Sequence, residues 1–342
     1  MRARLTDFSR RGFLGGALGS TLVGTGSLLA APQLRAGEDT LRFEHAYGET
    51  VLKAPARRVV SLGYTTQDSL LALGIVPLAI RYWYGDYPHG VWPWAQPLLG
   101  EATPALMTGE VSIETVASLA PDLIVAIGSG ISEAEYALLS QIAPVLMQAP
   151  EYPTYGMPWD AELRMIARAT GTEAKAEALI TSVADGFAAF RDRHPDWQGQ
   201  TAACAAHDGG QTSAFTGGDA RVQFLQEMGF RQPQALEAIS SADGFYTALS
   251  PEDLSPLDAD LLIWLSSQAK AADLASLAMR RTLRANAEGR EVFCGEVLAG
   301  ALSFGSVLSM PFALAQLEPE LTAALDGDPS TAVPSAAKAG LL

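Results

Sequence analysis

The side chains with the clearest capacity for ligand chemistry lie in one aromatic segment, residues 81–94. Arg81 opens this segment, which directly follows the predicted strand Pro77–Ile80. Ligands of parallel α/β sheets bind at the carboxyl ends of the strands. Aromatic walls at this position suit a bulky, partly planar ligand, and an arginine can pair with an anionic ligand. Because Trp and Tyr are highly buried on average, we expect about half of the rings to pack within the protein instead. Six rings fall within thirteen residues: Tyr82, Trp83, Tyr84, Tyr87, Trp92 and Trp94.

Other candidate ligand contacts are polar or aromatic side chains that follow or flank the remaining predicted strands. Each of them is a weak signal on its own, because most such residues simply pack in loops. The candidates are Tyr64, Ser129, His207, Tyr246, Ser267 and Phe304.

Residue patterns for catalysis are weak. The sequence has no G-x-S-x-G nucleophile elbow and no phosphate loop, and Gly128-Ser129-Gly130 lacks the third glycine of the dinucleotide fingerprint. Its four histidines stand beside no obvious nucleophile, and no cysteine pair has metal-binding spacing. We therefore predict no catalytic residue, no metal site on protein ligands and no cofactor, and keep an enzyme that uses an interlobe cleft as an alternative.

The elements that position these residues alternate between short apolar strands and helices. This pattern predicts an α/β fold with mostly parallel sheets. A helical apolar stripe runs from Thr172 to His194, a rod of about 30 Å that we call the spine helix. We predict two α/β lobes joined by this helix, with the ligand cleft between them. The predicted boundaries are 37–170 and 196–325 for the lobes, 171–195 for the spine and 326–342 for a disordered tail.

An internal repeat relates the two lobes. Residues 112–125 (SIETVASLAPDLIV) align without gaps to residues 250–263 (SPEDLSPLDADLLI), 138 positions further along. Each copy reads as a Ser-capped helix with a Glu in its first turn, followed by a buried strand. The second of these helices is predicted at Pro251–Ser255. Glu114 and Glu252 are thus expected at equivalent corners of the two lobes.

The amino terminus has the features of an export signal. Ser9-Arg10-Arg11-Gly12-Phe13-Leu14 precedes an apolar, glycine-rich stretch to Ala31, which predicts a twin-arginine-type signal peptide over residues 1–36. Without it the chain carries 18 basic and 37 acidic residues, a net charge of −19. Such acidity argues against nucleic-acid binding, which relies on cationic contacts to phosphates. We expect Cys204 and Cys294 to be buried free thiols, although an oxidising compartment permits a disulfide.

From about Leu41 to Leu325 the chain resembles the periplasmic substrate-binding proteins of ABC importers, in the class with a rigid helical spine. Within that class it is most similar to binders of ferric siderophores and of cobalamin. The resemblance is carried by the following stretches: Pro55–Leu62, Leu70–Leu78, Glu114–Val125 and Ser250–Ile263.

This resemblance implies a soluble, monomeric periplasmic protein that captures a ferric siderophore and delivers it to an inner-membrane permease and its ATPase. It implies that Glu114 and Glu252 dock on basic residues of the permease, and that the protein contacts the membrane only through that partner. Iron would arrive inside its chelator. The aromatic segment also tolerates cobalamin or haem, and these stay open as alternative ligands.

Overall fold

Two five-stranded sheets, one before and one after a long helix, organise the chain. The computed structural model describes residues 40–241, 244–265 and 271–341. The predicted signal peptide therefore lies outside the described residues, and so does Ser267. Among the described residues, no helix is both long enough and apolar enough to cross a membrane.

The first sheet is entirely parallel, with strand order β5-β4-β3-β6-β7, and a separate hairpin of β1 and β2 precedes it. Its strands are short and, apart from the edge strand β5 with its exposed Leu106, almost completely buried, as expected for a sheet covered on both faces. The strands are β1 (Leu41–His45), β2 (Gly48–Leu52), β3 (Val59–Ser61), β4 (Ala79–Arg81), β5 (Ala105–Met107), β6 (Leu123–Val125) and β7 (Val145–Leu146). The helices are α1 (Thr66–Leu73), α2 (Gln96–Leu99), α3 (Ile113–Ser118), α4 (Glu133–Leu139) and α5 (Trp159–Thr170), with a 3₁₀ turn at Pro88–Gly90.

The spine helix is α6, Glu173–Arg193. It packs through the apolar stripe that the sequence predicts, with Ala176, Val183, Phe187 and Phe190 buried. At its carboxyl end Arg193 donates to Glu318 at 2.7 Å, which ties the helix to the last long helix of the chain. A 3₁₀ turn at Pro195–Trp197 follows.

The second sheet has the order β10-β9-β8-β11-β12 and is mixed. β8, β11 and β12 are parallel to one another. At one edge of the sheet, β9 pairs antiparallel with β8, and β10 pairs antiparallel with β9. The strands are β8 (Ala202–Asp208), β9 (Gln211–Phe215), β10 (Tyr246–Leu249), β11 (Leu261–Leu265) and β12 (Glu291–Cys294). The helices are α7 (Ala220–Glu227), α8 (Gln234–Ile239), α9 (Ala271–Ser276), α10 (Arg284–Ala287), α11 (Glu296–Phe304), α12 (Ser309–Ala324) and α13 (Pro334–Lys338), with 3₁₀ turns at Ser255–Leu257 and Ala278–Thr282.

The two aspartates of the internal repeat make equivalent contacts, which confirms the repeat, but only one of its two predicted helices forms. Asp122 accepts hydrogen bonds from the amides of Arg57 and Arg58, just before β3. Asp260, its counterpart, accepts from the amide and hydroxyl of Thr201, just before β8. In both lobes the carboxylate that begins one strand therefore fixes the start of the neighbouring strand.

The helix predicted at Pro251–Ser255 is wrong. Ser112 caps α3 through Thr115, as predicted, but Ser250 only accepts from the amide of Glu252 at 3.3 Å, and a turn follows. Asp253 accepts from the amide of Ser255, which favours a turn over a helix, and Pro256 brings no amide hydrogen to a helical ladder. Glu114 and Glu252 are both exposed, but they lie on different local backbones.

The disordered tail predicted at 326–342 is also wrong for its described part. α13 packs against β12, and Val333, Ala336 and Leu341 are buried in the main core. The hydroxyl of Ser335 accepts from the amide of Phe293 at 3.1 Å. The second lobe therefore continues to Leu341. Three buried apolar side chains are enough to pack this otherwise polar segment against the core.

Both cysteines are buried free thiols, as expected. β11 lies between the strands that carry them, since Cys204 pairs with Ile263 and Cys294 with Leu265. Two strand spacings separate their backbones by roughly 9.5 Å, beyond the reach of a disulfide. Burial raises the pKa of Cys204 to about 12, so this thiol is unreactive.

Candidate functional site: the interlobe cleft

A cleft lies between the two lobes and contains two adjoining cavities. The first has a volume of about 470 Å³ and is lined from the first lobe by Tyr64, Trp83 and Trp159, and from the second by Arg221 and Phe304, among others. The second, of about 620 Å³, lies between residues 82–86 and the second sheet. Trp83, Arg221 and Ser303 line both cavities. Volumes of this size suit a small organic ligand.

The aromatic face of the cleft is continuous across the lobes. The ring centre of Trp83 lies 5.7 Å from Tyr64 and 4.6 Å from Tyr84, both in the first lobe, and 5.4 Å from Phe304 of the second lobe. Trp83 keeps 38% of its surface exposed, so it still offers a face to a ligand. Tyr82 and Tyr84 line the second cavity. Five of the predicted contacts are thus brought together: Tyr64, Tyr82, Trp83, Tyr84 and Phe304.

Arg81 lies at the carboxyl end of β4, where the sequence places it. Its guanidinium is 4.8 Å from the ring centre of Tyr64 and donates to the backbone oxygen of Ser129 at 2.8 Å. Its Nε–H is buried and has no acceptor within the described part of the chain. Ser129 is itself buried, so it positions Arg81 through its carbonyl rather than lining either cavity.

Arg221 is a cleft cation that the sequence analysis missed. It sits in the first turn of α7, where its guanidinium pairs with Asp219 at 2.8 Å and donates to Ser303 at 2.7 Å. It also lies 4.1 Å from the ring centre of Phe215. These contacts fix its orientation beside both cavities.

Two buried carboxyl groups lie behind the aromatic face. Asp68 on α1 accepts from Trp94 Nε1 at 2.7 Å and from the Ser306 hydroxyl at 2.5 Å, which joins the two lobes. Glu162 on α5 lines the first cavity and accepts from Ser69 at 2.7 Å. Burial raises the pKa of Asp68 to about 6 and that of Glu162 to about 7; the nearby charge of Asp68 adds to the latter.

Trp92 and Trp94, both predicted as ligand contacts, lie outside the two cavities. Trp92 is only 1% exposed and stacks on Trp94 at 5.0 Å. It also packs against Gly300 of α11, where an added Cβ would lie 2.3 Å from its ring. Trp92 is therefore packed at the contact between the lobes, and Trp94 is held by its bond to Asp68; neither lines the two cavities.

Two second-lobe candidates also lie away from these cavities. His207 binds the Thr212 hydroxyl at 2.8 Å within the β8–β9 pair. Tyr246 is 64% exposed on the edge strand β10, while its neighbour Phe245 lines the first cavity instead. Since side chains alternate along a strand, the register of β10 decides which of the two rings faces the cleft.

Further cleft residues were missed although a signal for them exists. Tyr155 and Trp159 line the first cavity and belong to an aromatic, proline-containing stretch that follows β7, Tyr152–Trp159. It has the same character as residues 81–94 and the same position after a parallel strand. Arg221 had no comparable signal, because its placement depends on the antiparallel strand β9 that precedes it.

Chemically, this cleft can stack planar groups and donate hydrogen bonds from Arg221. Arg81, a predicted ligand contact, packs against Tyr64 and lines neither cavity. Within the described ranges, no group of three or more His, Cys, Asp or Glu side chains could hold a metal ion. The aromatic face formed by Tyr64, Trp83 and Phe304 favours the binding of an organic group.

Comparisons with known proteins agree with this architecture. A sequence profile of the periplasmic binding protein family matches residues 59–296. The crystal structure of a periplasmic solute binding protein from Mycobacterium smegmatis is 36% identical, with 83% of this chain and 98% of that chain covered and a TM-score of 0.74.

Two further structures show the same fold at lower identity. Streptococcus pneumoniae PiaA in complex with ferrichrome is 23% identical, with 84% and 99% of the two chains covered and a TM-score of 0.71. Staphylococcus aureus SirA complexed with staphyloferrin B is 21% identical, with 85% and 100% covered and a TM-score of 0.69. A search among curated protein sequences gave no match. The family match covers most of the chain, and the chain belongs to the periplasmic binding protein family.

Proposed function

We propose that this protein captures a ferric siderophore in the interlobe cleft and delivers it to an ABC permease and its ATPase in the inner membrane. The observation that carries the proposal is the aromatic face formed by Tyr64, Trp83 and Phe304 across the two lobes. Family membership supports a binding role in transport rather than catalysis. Similarly folded proteins in complex with ferrichrome and staphyloferrin B support the choice of ligand.

In this proposal the rings stack on the organic shell of the siderophore and Arg221, which lines both cavities, donates to its oxygen atoms. Arg81 lines neither cavity and packs against the ring of Tyr64, whose position it supports. Iron stays inside its chelator. The protein itself contributes no cofactor.

The spine helix restricts lobe closure, because a continuous helix resists the bending that flexible linkers permit. Asp68 also accepts a hydrogen bond from the hydroxyl of Ser306 in the other lobe. Glu114 and Glu252, both exposed, serve as docking residues for basic side chains of the permease. The protein acts as a monomer in the periplasm and reaches the membrane only through the permease.

The test is a tryptophan-fluorescence titration of residues 37–342 with ferric siderophores, cobalamin and haem. Ferric siderophores should quench strongly at submicromolar concentrations. Trp83→Phe should lose much of the quenching, whereas Trp197→Phe, at a buried ring of the second lobe that lines neither cavity, should retain it. If no ferric chelator gives a response, the proposed function is wrong; a response to cobalamin or haem alone would assign one of these ligands instead.

A further inference from the structure

The charged groups lining the cleft are predominantly acidic. Among the described residues that line the two cavities, Arg221 is the only lysine, arginine or histidine. Five carboxyl side chains line the same cavities: Asp86, Glu162, Asp219, Glu227 and Glu296. The whole chain adds to this imbalance with its net charge of −15.

The positive charges near the cleft are already compensated. Arg221 pairs with Asp219 at 2.8 Å, and both side chains are largely buried. Hydrogen bonds from Ser132 lower the pKa of Glu135, and the charge of Arg81 adds to this effect, so Arg81 has an acidic neighbour too. Arg221 therefore provides hydrogen-bond donors to the cleft without giving it a positive field.

The pKa shifts of two cavity-lining groups indicate that burial in the cleft disfavours negative charge. Glu162 is buried in the wall of the first cavity, and this burial raises its pKa to about 7. In the second cavity, burial raises the pKa of Tyr84 and the charge of Glu296 adds to this shift, while the hydrogen bond with Ser303 and the charge of Arg221 oppose it. An anion in the cleft would lose solvation and would lie among carboxyl groups with Arg221 as the one cationic lining residue in the described ranges.

Resting on the siderophore function proposed above, we infer that this cleft selects ferric complexes without net negative charge, the tris-hydroxamate class, over tris-catecholate complexes. Each hydroxamate loses one proton and each catechol two on binding iron(III), so the first complex is neutral and the second is a trianion. The hydroxamate oxygens still accept hydrogen bonds from Arg221, and the apolar shell of a neutral complex can pack on Trp83 and Phe304.

The experiment measures dissociation constants of residues 37–342 for three probes by tryptophan fluorescence. The probes are ferrichrome, which is neutral, ferrioxamine B, which carries one positive charge, and ferric enterobactin, the tris-catecholate trianion. We expect the first two to bind at least about 100-fold tighter than the third at low salt, with a smaller difference at high salt.

A charge-only variant tests the cause of this preference. Glu296→Gln should tighten the binding of ferric enterobactin by about tenfold and leave ferrichrome nearly unchanged. Glu44→Gln, which removes an equal charge from the exposed face of the distant β1–β2 hairpin, is the control and should change neither constant.

The outcomes separate this inference from the proposed function. Equal or tighter binding of ferric enterobactin than of ferrichrome would overturn the selectivity and leave siderophore capture standing. A preference for ferrichrome that Glu296→Gln does not reduce would also overturn it, because shape rather than charge would then be the cause. Absence of binding by all three probes would contradict the siderophore function itself.

Discussion

Glu162 gives the sharpest prediction about stability, because it is a buried carboxyl group whose described hydrogen-bond partner is the neutral hydroxyl of Ser69. Its pKa of about 7 compares with an ordinary value of 4.5, and burial is the main cause. A carboxyl group with a raised pKa holds its proton more tightly in the folded than in the unfolded state. Folding stability is therefore lost as the pH rises from about 4.5 through 7. At pH 8, ionisation of Glu162 lowers the free energy of unfolding by about 3 kcal/mol.

The perturbation is Glu162→Gln, which keeps the shape of the side chain and an acceptor for the Ser69 hydroxyl. The variant should be more stable than the original protein at pH 8, by up to about 3 kcal/mol, and similar to it at pH 4.5. Asp68 has a pKa raised in the same direction, so part of the gain will come from relieving their mutual repulsion. The measurement is urea unfolding followed by circular dichroism at several pH values.

Glu101→Gln, at an exposed position, controls for the loss of one negative charge and should show no such dependence on pH. The reasoning fails if Glu162→Gln destabilises the protein equally at pH 8 and pH 4.5. That result would mean that ionisation of Glu162 carries no cost to stability and that burial does not raise its pKa.

Three further predictions separate ligand contact, docking and packing. Trp83→Ala should weaken siderophore binding by tenfold or more in fluorescence titrations with little loss of stability, whereas Trp92→Ala should destabilise the fold by about 3–5 kcal/mol in urea unfolding; comparable stability losses would contradict the distinction. Replacing Glu114 and Glu252 together by Ala should abolish iron uptake in cells and leave ligand affinity nearly intact, so a loss of affinity would show that the docking assignment is wrong. Deleting residues 326–342 should lower the thermal midpoint by several degrees through the loss of three buried apolar side chains, and an unchanged midpoint would refute their role in the core.

The sequence could predict the fold where its signal is local. A helical stripe between two stretches of alternating strands and helices indicates the spine, and the repeated aspartates mark equivalent strands. It could not predict the strands β9 and β10, because their residues acquire a strand conformation only from pairing, β9 with β8 and β10 with β9.

For the cleft, the sequence predicts which segment is aromatic but not which rings are free. Trp92 and Trp83 are nine positions apart in one segment, yet the first packs against Gly300 and the second faces the cleft. That difference depends on the approach of α11, about 200 residues further along the chain. A second aromatic stretch at Tyr152–Trp159 has the same sequence pattern and adds two aromatic lining residues, Tyr155 and Trp159.

The main core has a consequence for how the chain is made. It contains Phe43 from the first strand and Leu341 from the end of the described chain, and it runs through Phe187 of α6. A core that joins such distant segments includes long-range contacts, and these slow folding because a long loop must close before they form. This core is complete only after the chain has been synthesised as far as Leu341, and until then the unfinished core leaves apolar surface exposed that chaperones can bind.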